Sequence, residues 1–161
     1  MQIYKIKQLL LCMQRRKLKI EELNRISIEE FREAEKIPLV VVLDNVRSQH
    51  NIGSVFRTSD AFRVSEIVLC GITSTPPNVE IHKTALGAED AVKWRYFEQA
   101  LSAVKELQAE GYIVLSIEQT ENSLSLEEFR PEKGKKYAII LGHRLWWRSR
   151  VRLSQRNRCG K

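Results

Sequence analysis

The sequence predicts an α/β fold, a mostly parallel sheet of about five strands with flanking helices. Two patterns carry this. Short runs such as Leu39-Val-Val-Val-Leu43, Glu66-Ile-Val-Leu-Cys70 and Tyr137-Ala-Ile-Ile-Leu141 are mostly apolar without alternation, as strands covered on both faces are. Between them stand segments whose apolar residues recur at helical spacing. With 161 residues, 43% of them hydrophobic, the chain has the material for one ordinary domain with a core and tails.

The elements follow in order. Ser27-Ile-Glu-Glu30 places an acid three residues after a serine, the pattern of a capping box, and opens a short helix from about Ser27 to Lys36. Pro38 then precedes the first strand, which ends at Asp44-Asn45. Ile52, Val55, Phe56, Ser59 and Phe62 share a helical face, so Asn51 to Arg63 is an amphipathic helix following that strand. Glu66 to Cys70 is the second strand. A Gly71 to Asn78 loop containing Pro76-Pro77 leads to a helix over Glu80 to Leu86, and Val92 to Phe97 reads as a short strand. Ala100, Leu101, Val104 and Leu107 space a helix over Glu98 to Ala109, with Gly111 as its stop. Tyr112 to Ile117 is strand four, Ser125 to Phe129 a short helix, and Tyr137 to Leu141 strand five. The chain holds no internal repeat and no low-complexity tract.

Charge narrows the partners. Twenty-seven Lys and Arg against 20 Asp and Glu give a formal +7 and a pI near 9.5, the balance of a protein that meets phosphate backbones. The basic residues crowd the two ends: Lys5, Lys7, Arg15, Arg16, Lys17 and Lys19 at one, Arg144 through Lys161 at the other. Cys12, Cys70 and Cys159 lie far apart and fit no metal spacing, so no metal is expected and a reduced cytoplasm is the expected home. No apolar run approaches the roughly 20 residues that span a bilayer, so no membrane is expected, and Leu9 to Met13 is too short for a secretory signal. Met13 is an alternative start, which would make residues 1–12 an upstream extension. The expected layout is a basic extension and short helix over 1–36, the α/β domain over 37–142 and a basic tail over 143–161.

Ligands of such sheets bind beyond the carboxyl ends of the strands, which points to Asp44 to Arg57, Gly71 to Asn78, Glu118 to Ser123 and Gly142 onward. The first of these is the most informative. Leu43-Asp-Asn-Val-Arg-Ser-Gln-His-Asn51-Ile-Gly53-Ser-Val-Phe-Arg57-Thr58 puts a carboxamide and a small residue at a helix start, where backbone donors face anions, and an arginine about a turn and a half inside. Taken singly, Asn51 is an ordinary helix cap, Gly53 a packing contact of helix on sheet, and Arg57 a solvated arginine. Together after a buried strand they carry more. The segment resembles the first signature motif, Asn-x-Gly-x-x-x-Arg, of the SpoU (TrmH-like) family of SPOUT RNA 2′-O-ribose methyltransferases. The likeness runs from about Ile37 to Gly142 and includes Thr75-Pro76-Pro77 and His82-Lys-Thr-Ala-Leu-Gly-Ala88.

The resemblance implies a SPOUT-type α/β domain, a homodimer, and methyl transfer from S-adenosylmethionine to a ribose 2′-hydroxyl of tRNA or rRNA. It assigns catalysis to Asn51 and Arg57, RNA contact to Arg47, Asn51, Gly53 and Arg57, and cofactor contact to Glu118, Gln119, Leu141 and Gly142. A guanidinium stays protonated, so Arg57 is expected to orient the ribose and stabilise developing oxyanion charge rather than to abstract a proton. His50 is either a base near the ribose or a local partner at the helix start, and His82 a surface helix residue.

The resemblance stops at Gly142. Family members continue Leu-Gly-Asn-Glu and later carry Ser-Leu-Asn, the two pieces that tie the SPOUT knot and hold the cofactor. Here His143-Arg144 follows, with Arg144 where the family has glutamate, and His143 to Lys161 contains seven Lys or Arg and no Asp or Glu. This stretch reads as a frameshifted or foreign tail, and the expectation is an incomplete knot, a cofactor pocket lacking a wall and partial instability. The alternative function is a non-catalytic RNA-binding remnant, its basic ends holding phosphates. A different nucleotide-binding enzyme is disfavoured by the lack of GxGxxG and GxxxxGK[ST].

Overall fold

The computed structural model describes residues 26–118 and 125–142. Ser27 caps a first helix, α1 (Ile28–Glu33), through the reciprocal capping box with Glu30. The helix is shorter than its sequence pattern. Ala34 turns extended because the chain must enter β1 (Ile37–Asp44), where the Ile37 amide donates to the Arg63 carbonyl. The motif helix, α2 (Gln49–Ala61), then leads to β2 (Val64–Cys70). Asn78 caps α3 (Val79–Ala85), accepting from the Glu80 and Ile81 amides. A four-residue α4 (Ala88–Ala91), too short to leave a periodic signature, precedes β3 (Trp94–Phe97). It takes Val92 out of the expected strand, since the Val92 amide donates to the Ala88 carbonyl. Helix α5 (Ala100–Ala109), β4 (Tyr112–Ser116) and β5 (Lys136–Gly142) complete the described elements.

The helix expected over Ser125 to Phe129 is instead a single turn. The Glu128 and Phe129 amides both donate to the Ser125 carbonyl, and the chain then extends toward Pro131, which disfavours helical geometry at Arg130.

All five strands are parallel, in the order β3-β2-β1-β5-β4. Their alternation divides the core into two layers. Val41, Leu43, Ile67 and Leu69 face Ile52 and Phe56 of α2, Ile81 of α3 and Phe31 of α1. Val40, Val42, Val68, Ala138 and Ile140 face Ala103, Val104 and Leu107 of α5. The mostly apolar central strands thus follow from helices on both faces. The chain builds outward from β1 through β2 to β3, then crosses and returns with β5 against the free side of β1. Strand order therefore reverses between β1 and β5, and such a switch point opens a crevice at the carboxyl ends. The 1–25 extension and the 143–161 tail, with the expectations placed on them, lie outside the described residues.

Candidate active site

The crevice is framed by the ends of β1 and β5, where Asp44 and Gly142 are paired in register. The two strands approach so closely here that a Cβ on Gly142 would lie 2.3 Å from the Asp44 carbonyl oxygen. Any side chain would push β5 away from β1, so glycine is a packing requirement at this edge. Asp44 is buried, and the Asn45 carboxamide donates to its Oδ1 at 2.5 Å. Beside it the Cys70 thiol is pushed up to about 12, by burial first and by the Asp44 charge second.

From Asp44 the chain turns through Asn45, whose φ of 54° is left-handed, into α2. The helix cap is Ser48, not Asn51: the Ser48 hydroxyl accepts from the Asn51 amide at 3.3 Å. Serine is as good a cap as asparagine, and capping three residues earlier adds Gln49 and His50 to the helix. Asn51 therefore sits within the first turn and Arg57 more than two turns from the start. On an ideal helix the two lie ~9 Å apart along the axis and roughly 120° apart around it. Both are exposed, at the two margins of the solvent face, while Ile52, Phe56 and Ser59 are buried beneath. Arg47, in the turn, is exposed as well.

Gly53 is buried. A Cβ there would lie 2.1 Å from the Thr84 Oγ1 and 2.3 Å from the Ile81 carbonyl oxygen. It seats α2 on α3, a helix-on-helix contact where the sequence reading had a helix-on-sheet one. The same junction holds Thr84 Oγ1 donating to the His50 carbonyl at 3.0 Å. His50 pairs with Glu80 at 3.2 Å across to α3, and Lys83 hydrogen-bonds to Glu80 and holds its carboxyl below the usual range. His82 is exposed, as expected of a surface helix residue, but its Nδ1 lies 2.5 Å from Oε1 of the buried Glu89.

Of the residues expected at a cofactor, Leu141 and Gly142 end β5 at the crevice, and Glu118 follows β4 by two residues, half-buried. Gln119 lies outside the described residues. Strand β5 separates β4 from β1, so the carboxyl ends of β4 and β1 lie on opposite sides of Gly142.

A family model described as the SpoU rRNA Methylase family matches residues 38–143, well over half of the chain. The chain belongs to this family. Among curated relatives, the 23S rRNA (guanosine-2'-O-)-methyltransferase RlmB of Vibrio parahaemolyticus is 31% identical over 91 residues, 56% of this chain and 37% of that protein. The enzyme of the same name from Vibrio vulnificus is 23% identical over 122 residues, 76% of this chain and 48% of that protein. The chain thus spans less than half the length of these curated relatives. Among solved structures, the A. aeolicus TrmH/SpoU tRNA modifying enzyme superposes with a TM-score of 0.62 at 19% identity, covering 73% of this chain and 60% of that one. The AdoMet-bound rRNA methyltransferase of Sinorhizobium meliloti gives 0.59 at 24% identity, covering 68% and 42%. These likenesses establish a shared fold.

Within this SpoU fold the sequence missed residues that shape the site without carrying a motif. Thr73 is one. It stands in a loop read for its prolines and its place beyond the second strand, and its hydroxyl reaches back to the end of β1. Asn45 is another, its side-chain oxygen accepting from the Ile72 amide at 3.3 Å. Asn45 immediately follows the β1 run, so the start of a turn there was the only signal available.

Proposed function

We propose that this SpoU family member transfers a methyl group from S-adenosylmethionine to a ribose 2′-hydroxyl of tRNA or rRNA. The observation that carries the reading is the placement of the motif helix α2, which starts from the central strand at the switch point and exposes Asn51 in its first turn and Arg57 further along. The relatives named as 23S rRNA guanosine-2'-O-methyltransferases support the same chemistry.

The residues present suit the cofactor. Gly142 keeps the β5 terminus bare of side chain, Leu141 offers half-buried apolar surface, and Glu118 offers a carboxylate beyond β4. When bound there, S-adenosylmethionine supplies an activated methyl on a sulfonium leaving group. The protein's part is orientation and charge. The Arg57 guanidinium holds the ribose and stabilises charge developing on O2′ by a charge-assisted hydrogen bond, while Asn51 and Arg47 fix the adjoining nucleotide. We further infer residues 37–142 as the methyltransferase domain, a homodimeric assembly, and the cytoplasm, where tRNA and rRNA are found, as the site of action. Among the described residues no helix is long and apolar enough to cross a membrane.

The test is calorimetric titration of the purified chain with S-adenosylmethionine, followed by methyl transfer to tRNA and rRNA. Arg57→Ala is expected to lower transfer by about 10²–10³-fold with cofactor affinity unchanged. The second reading, an RNA-binding remnant, rests on the departure of the sequence from the family after Gly142. Salt-dependent RNA binding by a folded chain that takes up no cofactor would favour it.

A further inference from the structure

We propose that Thr73 is a positioning residue for the turn that carries Arg47 and leads into Asn51, an inference that rests on the methyltransferase reading above. Thr73 is 3% exposed and sits three residues past the end of β2. Its hydroxyl donates to the Leu43 carbonyl at 3.1 Å and accepts from the Val46 amide at 3.0 Å. One oxygen therefore bridges the last part of β1 and the turn beyond it, and the side chain comes from a different loop. Around it the Asn45 amide donates to the Cys70 carbonyl at 3.2 Å, the Asn45 side-chain oxygen accepts from the Ile72 amide, and Gln49 Nε2 donates to Ser74 Oγ at 3.3 Å.

The consequence is that the β1–α2 turn does not set its own path. Asn45 has left the sheet ladder, and Arg47 and Ser48 are exposed. Position is imposed from the 71–74 segment, with Thr73 as its only buried side chain. Valine has the shape of threonine without donor or acceptor, so it fills the site but leaves the Val46 amide and the Leu43 carbonyl without their side-chain partner. A turn so released keeps the fold but loses the alignment of Arg47 and the first turn of α2. Small displacements of positioning groups are costly in a reaction whose catalysis is largely positional.

The experiment compares the whole chain with Thr73→Val, Thr73→Ala and Thr73→Ser. It reads thermal unfolding, cofactor affinity, kcat and KM for RNA methylation, and hydrogen exchange at the Val46 amide. The two hydroxyl-free variants are expected to hold cofactor affinity within about twofold, to lower kcat about tenfold or more, and to speed Val46 exchange about tenfold or more; Thr73→Ser returns these readings toward wild type. Thr73→Ala serves if Thr73→Val does not fold. Wild-type kcat in a folded hydroxyl-free variant, or an equally protected Val46 amide, overturns the proposal. If the unaltered chain transfers no methyl, the methyltransferase reading fails separately. RNA affinity then replaces kcat: faster Val46 exchange with weakened RNA binding supports the positioning role, and faster exchange with unchanged binding overturns it.

Discussion

At the scale of single residues, the crevice shows how burial controls chemistry. Cys70 lies at the carboxyl end of β2, fully buried, with its thiol pushed up to about 12. At pH 8 its thiolate fraction is on the order of 10⁻⁴, and access is blocked as well. It is expected to resist iodoacetamide in the folded protein and to react once urea unfolds it, as peptide mass spectrometry would read. Rapid native labelling would mean that the β1–β2 edge opens. Glu66 titrates in a different setting. Burial raises its carboxyl above the ordinary 4.5, opposed by Arg95 and Lys93. The folded protein thus holds this proton more tightly than the unfolded chain does. Stability from this group is fully present below 4.5 and declines as pH rises through the raised value. Glu66→Gln is expected to flatten that decline in urea titrations from about pH 4 to 7, since Arg95 keeps Glu106 at 2.6 Å and Glu110 at 3.0 Å.

At the scale of elements, the junction of α2 with α3 depends on one missing atom. Gly53→Ala has the better helix propensity, worth up to about 1 kcal/mol in a free helix. Against this, the added carbon meets the Ile81 carbonyl oxygen, which backbone cannot easily yield. Overpacking of this kind costs about 1–3 kcal/mol, so a net loss of stability is expected in denaturant melts, together with displacement of Asn51. This contact also marks the limit of the sequence reading. The central strands and the main helices were legible because burial on both faces leaves long apolar runs and helices leave a period, and the edge strands β3 and β4 by their aromatic and β-branched residues. The glycine was legible as part of a motif, but its partner was not, because Thr84 and Ile81 are joined to it only by the fold. Likewise Ser48 and Asn51 are both good caps, and choosing between them required the geometry of the turn that Thr73 holds. The four-residue α4 and the turn at Ser125 were beyond periodicity altogether, being shorter than the pattern used to detect helices.

At the scale of the whole molecule, the basic character is unevenly shared. The described residues include 13 Lys and Arg and 17 Asp and Glu, so the remaining segments hold 14 of the 27 basic residues and only 3 of the 20 acids. An acidic body has little long-range attraction for RNA, and phosphate contacts should come chiefly from the ends and from Arg47 and Arg57. Neutralising Arg15, Arg16 and Lys17 to glutamine is expected to lower the slope of log affinity against log salt by about 1–3. An unchanged slope would place the phosphate contacts outside this N-terminal cluster.

Strand β5 lies between β1 and β4, though it is the last of the described strands in sequence. During synthesis, the half-sheet β1-β2-β3 can close as its residues emerge, with α1, α2 and α3 against one side. Strand β4 has no such option, because among the described residues its sheet partner is β5 alone. It must wait unpaired while the intervening segment is made, and its single pairing then forms only when Lys136 to Gly142 arrives to fill the gap. The carboxyl edge between β1 and β5 therefore forms in the same event that joins β4 to the other described strands.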